Sequence, residues 1–229
     1  MRIFGATISL AATDLANHLS CAHLTQLEKA AASGELRRPT WTDPAAQVLQ
    51  QKGFEHERSY LDHLAAEGLN IVGTADSGGS ASERVLELMR SGVDGIAQAV
   101  LGDGRWVGRA DLLLRVDRPS DLGSWSYEVA DTKLAAETRA ATILQLCLYS
   151  DLVGRLQGCC PELMHVVVPG RDFRPESFRT SHFLAYYRQV RSRLIEAVDA
   201  GAKASPYPEP VPHCELCSWW RHCDQRRHD

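Results

Sequence analysis

No apolar run in the 229-residue chain approaches the ~20 residues a helix needs to cross a bilayer, so a helical membrane protein is not expected. The opening Met1-Arg2-Ile3-Phe4-Gly5-Ala6-Thr7 has one Arg and soon meets Thr13 and Asp14, unlike an export leader. The cytoplasm is the expected address. Basic residues are not in excess: 25 Lys and Arg against 29 Asp and Glu give a net charge of −4, which excludes a strongly basic nucleic-acid coat protein but not a local basic face. Internal repeats and low-complexity tracts are absent. What remains is ordinary for a globular chain, 44% hydrophobic and 24% charged. A chain of this size hides roughly 70–75% of its unfolded surface and needs no staples. Its seven cysteines, odd in number and with no export signal, are expected as thiols or metal ligands rather than disulfides.

The chain reads as one domain over 1–229: a mainly helical part over 1–92, an α/β core over 93–200 and a tail over 201–229. A helix is expected from a Thr13-Asp14 cap onward, carrying Leu15, Leu19, Leu24 and Leu27, with a break from Pro39 to Pro44. Asp43 can cap a second helix over 44–67, with Val48, Leu49, Phe54, Leu61 and Leu64 as its buried stripe. A short strand follows at Leu69 to Gly73, then a loop over Ser77-Gly78-Gly79-Ser80 and a helix over Glu83 to Met89. Asp94 to Leu101, Arg105 to Val116 and Ser124 to Leu134 read as strands, the first two joined by a Gly102-Asp103-Gly104 hairpin. An almost wholly apolar helix is expected over Glu137 to Leu156, packed on the sheet. A strand over Met164 to Val168, a partner over Glu176 to Thr180 and a Ser181-capped helix to Ala200 complete a mixed α/β domain. Four prolines, at 206, 208, 210 and 212, make Gly201 to Pro212 an extended strap.

The strap leads to Cys214 and Cys217 in C-x2-C spacing, and then to Cys223. A tight turn lets two thiolates reach one metal centre, and a third arrives from the next helical turn. A fourth ligand must come from elsewhere. Cys21 is the best candidate, with His213 and His222 as alternatives that would make a zinc site. Cys147, Cys159 and Cys160 lack such spacing and read as structural.

Asp131 and Lys133 alternate along one strand and therefore project together, and an antiparallel neighbour can bring Asp111 alongside. Two carboxylates and a lysine on one face of apolar strands are costly to bury unless they hold a cation or pair with each other. Metal-assisted phosphodiester hydrolysis needs such a set. Gln145 and Tyr149, one helical turn apart, could reach the same cleft, and His56 could supply an imidazole ligand. Glu128 has the opposite parity to Asp131 and reads as a structural partner for an arginine. Arg171, Arg174, Arg179, Arg188, Arg191 and Arg193 oppose only Asp172 and Glu176 and could track phosphates. Trp219 and Trp220 read as packing around the tail thiols.

Taken in order, His56, Gly108-x-x-Asp111, Asp131-x-Lys133 and Gln145-x-x-x-Tyr149 resemble the motif series of RecB-type nucleases in the PD-(D/E)XK superfamily. One cysteine near the N-terminus and three at the other end resemble its iron–sulfur subset, which includes CRISPR-associated RecB-like exonucleases and the AddB nuclease domain. Tyr127 to Ala135 and Cys214 to Trp220 look closer still to a family of bacterial RecB-like nucleases. Two departures are visible: no Pro precedes the first Asp, and Asp131 stands where the CRISPR-associated members usually carry Glu.

The resemblance implies a restriction-endonuclease-like fold, a central mixed sheet flanked by helices, with the cysteine-rich tail closed by a metal cluster. It implies that His56, Asp111, Asp131 and the Thr132 carbonyl hold Mg²⁺ or Mn²⁺. Lys133 would be catalytic, and Gln145 and Tyr149, counted with the catalytic set, would shape the site or touch the DNA backbone. Cys21, Cys214, Cys217 and Cys223 would hold a [4Fe–4S] cluster. The expected activity is DNA hydrolysis, exonuclease before endonuclease, on single strands or ends, in DNA repair or defence. Arg174, Arg179, Arg188 and Arg191 are the expected DNA contacts. Related modules are often fused to helicases or RNase H-like domains, so the resemblance leaves open a natural short protein, with or without a helicase partner, and the N-terminal piece of a longer one. The rival readings are a non-catalytic nucleic-acid-binding module with a zinc-bound tail and a scaffold in a repair or defence assembly.

Overall fold

A six-stranded mixed sheet with helices on both faces organises the computed structural model, which describes residues 1–4, 7–40, 44–74, 80–135, 137–170, 172–200 and 206–228. In chain order the elements are β1 (Arg2–Phe4), β2 (Thr7–Ser9), α1 (Ala12–Ser20), α2 (Ala22–Ala32), α3 (Pro44–Ala66), β3 (Ile71–Gly73), α4 (Ala81–Ser91), β4 (Gly95–Gly102), β5 (Val107–Val116), β6 (Ser126–Thr132), α5 (Ala140–Gln157), β7 (Leu163–Val167), β8 (Glu176–Arg179), α6 (Leu184–Asp199) and α7 (Trp220–His228). Short 3-10 turns lie at Thr180–His182 and Pro212–Leu216. The Asp43 cap, loop residues 77–79, Arg171 and strap residues 201–205 lie outside the described residues.

The sheet order is β3-β4-β5-β6-β7-β8. β3 runs parallel to β4, and β6 to β7, while the other neighbours are antiparallel. β1 and β2 form a separate hairpin, tied to the sheet where Leu10 exchanges backbone hydrogen bonds with Arg105 and Val107, each 2.8 Å. Among the described residues, no helix is long and apolar enough to cross a membrane.

Alternation along the strands divides the core into two layers. Ile96, Leu113, Tyr127 and Val129 face α5, α6, α1 and α4, whereas Ala97, Leu112 and Ala130 face Tyr60 and Leu64 of α3. Burying a Val or Leu in either layer contributes about 1.5–3 kcal/mol. Gln157 is fully buried at the end of α5 and fixes that helix against β6, accepting from the Tyr127 amide at 2.8 Å and donating to the Tyr127 carbonyl at 3.2 Å.

Several local expectations are corrected. The first expected helix divides at Cys21, which is extended (φ −160°, ψ 111°) between α1 and α2. Asp14 acts from inside the first turn of α1 rather than as its cap, taking the Ala11 amide at 2.8 Å and the Met1 ammonium at 3.0 Å. Val48, Leu49 and Phe54 are 57, 60 and 54% exposed, because the sheet backs only the later turns of α3, where Tyr60 and Leu64 are buried. Ser181 lies in a 3-10 turn, and α6 starts three residues later without a side-chain cap. Glu128 does point away from Asp131, but its partners are the Leu163 amide at 2.9 Å and His165 Nε2 at 3.0 Å rather than an arginine.

Candidate active site and cysteine centre

β5 and β6 carry the two carboxylates, and their antiparallel register, extended one step beyond Leu112–Ala130, sets Asp111 opposite Asp131. The alternation of inward and outward residues slips at this level. In β4, Ala97 faces the α3 layer but Ala99 and Leu101 face the α5 layer; in β5, Leu112 and Ala110 likewise change sides. Gln98, across from Asp111, has φ +56°, a conformation that side chains other than Gly rarely adopt. Two faces of the sheet thus exchange residues beside the carboxylates.

Each carboxylate is oriented by the chain around it. Asp111 Oδ2 accepts from the Thr132 amide at 2.8 Å and from the Thr132 hydroxyl at 3.0 Å. Asp131 is wholly buried; Gln145 Nε2 donates to its Oδ1 at 2.9 Å, and Lys133 Nζ stands 2.6 Å from Oδ2. The Oδ2 atom accepts no well-angled hydrogen bond, despite its ion pair with Lys133. Burial first, and the Asp111 charge second, push the Asp131 carboxyl up to about 7, against the opposing pull of Lys133. Tyr149 is pushed up to about 12 by burial and by both aspartates, which keeps its phenol protonated. Its ring lies on Gly108, where a Cβ would overlap the aromatic edge. The Gly in the Gly108-x-x-Asp111 motif is therefore explained by the tyrosine above it.

His56 stands over the end of β7, its Nε2 3.2 Å from the Val167 carbonyl. That carbonyl also accepts the Lys133 amide at 3.0 Å. Phe173, itself at φ +59°, stacks on the His56 ring with centroids 6.0 Å apart. The contacts that Thr132 makes here are donor contacts to Asp111, not those of its carbonyl.

The sequence reading missed Glu57. This side chain accepts from Gln98 Nε2, and its carboxyl is raised by burial first and then by the Asp111 charge, with Gln98, Arg109 and Lys133 opposing. The signal was present: Glu57, Tyr60 and Leu64 share the helix face that meets the sheet. An acid on that face was hidden by assigning burial to Val48, Leu49 and Phe54.

Among the described residues, no group of three or more His, Cys, Asp or Glu stands close enough to hold a metal ion. A divalent cation nonetheless suits part of the set, since Asp111 and Asp131 are hard oxygen donors set opposite each other on adjacent strands. His56 as placed does not complete it.

The tail thiols are gathered differently. Cys21, Cys214, Cys217 and Cys223 line one narrow hollow with Val211, Trp220 and Arg227. Leu24, Leu27 and Trp219 pack behind them, and Trp219 Nε1 donates to Glu28 at 2.8 Å, tying the tail to α2. Burial raises the Cys217 and Cys223 thiols, and the neighbouring tail cysteines raise them further. Soft thiols around one closed hollow suit a thiophilic centre. A single zinc and a polynuclear cluster both take such thiolates, and among the described residues no three of them stand close enough to hold one ion. Cys147 is buried in α5, its thiol pushed up to about 12 by burial.

The arginines expected on DNA are partly committed elsewhere. Arg179 pairs with Glu162 at 2.9 Å, and Arg191 lies over the Trp106 ring at 5.5 Å. Arg174 lines a hollow with Tyr60, His63 and Phe173, and Arg188 acts on the Cys160 thiol. No model of a known protein family matches the chain, and comparison with curated proteins finds no significant relative.

Proposed function

We propose that the chain is a metal-dependent nuclease of the RecB-like, PD-(D/E)XK type that hydrolyses DNA. The observation that carries the reading is the Asp111–Asp131 pair facing each other on adjacent strands, with Lys133 2.6 Å from Asp131. A bound Mg²⁺ or Mn²⁺ would polarise the phosphate and lower the pKa of an attacking water. Asp111 and Asp131 would hold it, and the Glu57 carboxyl feels the Asp111 charge from α3. Thr132 and Gln145 fix the rotamers of the two aspartates. Lys133, about one third exposed, offers its ammonium to the scissile phosphate. Protonated Tyr149 closes the wall behind Gly108. Cys21, Cys214, Cys217 and Cys223 would hold a structural [4Fe–4S] cluster that joins the tail to the first helices.

A second reading is a non-catalytic nucleic-acid-binding module, favoured by the lack, among the described residues, of a third His or carboxylate close enough to complete a metal site. Digestion of labelled single- and double-stranded DNA in Mg²⁺ or Mn²⁺ separates the two. Asp131→Ala and Lys133→Ala are expected to slow cleavage by about 100-fold or more with unchanged circular dichroism. Cleavage that survives either substitution undiminished, or no cleavage by the cluster-loaded chain, removes the nuclease reading.

A further inference from the structure

We infer that the cleft between the β1–β2 hairpin, α1 and the start of β5 seats a single nucleic-acid strand on its way to Asp111, with Arg2 and Arg109 binding its phosphates. The inference deepens the nuclease reading and rests on it. The cleft has a volume of about 630 Å³, within the roughly 300–1,000 Å³ of well-formed ligand sites. A hollow of that size takes one strand or a nucleotide end, and comparing single-strand with duplex binding separates these from a duplex laid across it.

Its charge is the second observation. Two acids line the cleft, and both are engaged: Asp14 by the Met1 ammonium and the Ala11 amide, Glu28 by Arg38 and the Trp219 indole. Arg2 and Arg109 are exposed and form no ion pair among the described residues. The charge left to meet a ligand is therefore positive, although the chain as a whole is acidic. Asn17, Thr13 and Ser9 add neutral hydrogen-bonding groups along the wall, the usual complement to arginines on a phosphate backbone.

Position is the third. Arg109 is two residues before Asp111 on β5, and the Glu57 carboxyl feels the charges of both. Gly108 belongs both to the cleft and to the floor beneath Tyr149. A backbone lying on Arg109 would thus continue toward the carboxylates, and Arg2 would hold it further out.

Fluorescence anisotropy of a short labelled single strand, with the full chain in EDTA across a salt series, tests the assignment without needing cleavage. The Arg2→Ala, Arg109→Ala double variant is expected to bind about tenfold more weakly, with the log–log salt slope smaller by about 1.4, at roughly 0.7 per lost phosphate contact. Arg109→Lys in the Arg2 parent should retain most of the slope, and Arg90→Ala, at an exposed position of α4, should change nothing. If the parent binds and cuts DNA while the double variant keeps its affinity and slope, the cleft assignment falls and the nuclease reading stands. Tighter binding of duplex than of single strand through the same arginines also overturns the assignment. A parent that neither binds nor cuts DNA in Mg²⁺ or Mn²⁺ defeats the nuclease reading, and the cleft with it.

Discussion

Gly108 supports the ring of Tyr149 at a separation that no side chain at position 108 permits: a Cβ there would overlap Cε1 and stand 3.2 Å from Cδ1 and Cζ. Gly108→Ala must therefore displace the tyrosine. The Tyr149 phenol interacts with Gln145 and with the Arg109 backbone, and Gln145 orients Asp131, so the displacement reaches the carboxylate. Overpacking of this kind costs about 1–3 kcal/mol, equivalent to roughly 2–4 °C of Tm per kcal/mol at this size. The substitution is expected to lower both Tm and cleavage. Adding Tyr149→Leu should return the lost stability but not the activity; purely additive losses in the double variant would show that the two sites do not touch.

The burial of Asp131 makes stability depend on pH in a definite direction. Its folded-state pKa is pushed up to about 7 from an ordinary 3.8, so the folded chain holds this proton more tightly than the unfolded chain. The contribution of Asp131 is most favourable below about pH 4 and declines as pH rises to about 7, after which it is constant. Asp131→Asn removes the charge and keeps a partner for Gln145. In chelator the variant is expected to gain Tm over the parent from pH 4.5 to pH 8, by roughly 5 °C. Mn²⁺ should narrow the gap by stabilising the parent. A Tm difference that is flat across this range would mean that the carboxylate is not destabilised by burial.

How much of this was legible in the sequence depended on whether the signal was local. Asp131-x-Lys133 was, because strand alternation places i and i+2 on one side and the pair stands 2.6 Å apart. The apolar circumference of α5 also indicated a helix packed on a sheet, and Leu144, Leu146, Leu148 and Leu152 are buried. The buried stripe of α3 was misplaced because its first half is apolar enough to suggest a core, while the sheet reaches only its later turns. That error concealed Glu57. Gln98 was invisible for another reason: nothing local marks a non-glycine residue for φ +56°, which here accompanies the change of sides by both strands at the carboxylates. The orientation of His56 depends on Phe173, more than a hundred residues away.

Glu128 offers a substitution that separates stability from chemistry. It is buried on the sheet face opposite Asp131 and satisfies the Leu163 amide and His165. Glu128→Ala leaves a backbone donor and an imidazole without their acceptor, a loss of about 2–4 kcal/mol. Denaturant melts should register that cost, while cleavage per folded molecule stays at the parent level. Glu128→Gln keeps an acceptor for the amide and should lose less. A fall in cleavage without a fall in stability would instead place Glu128 in the active site.

The tail is the remaining structural question, and its thiols give a direct readout. Cys21 is held in extended geometry between two helices, and Cys223 is buried one turn into α7, so the hollow joins segments about two hundred residues apart in the chain. Closing so long a loop with bonds restricts the unfolded ensemble far more than any single apolar contact there. Protein purified without oxygen is expected to be brown and to contain iron and sulfide at about four each per chain. Cys223→Ala should bleach it and lower Tm, whereas Cys147→Ala should leave the colour unchanged, since Cys147 lies in the α5 core. If metal analysis instead finds one zinc and no sulfide, the polynuclear assignment fails, even though the thiols gather as described.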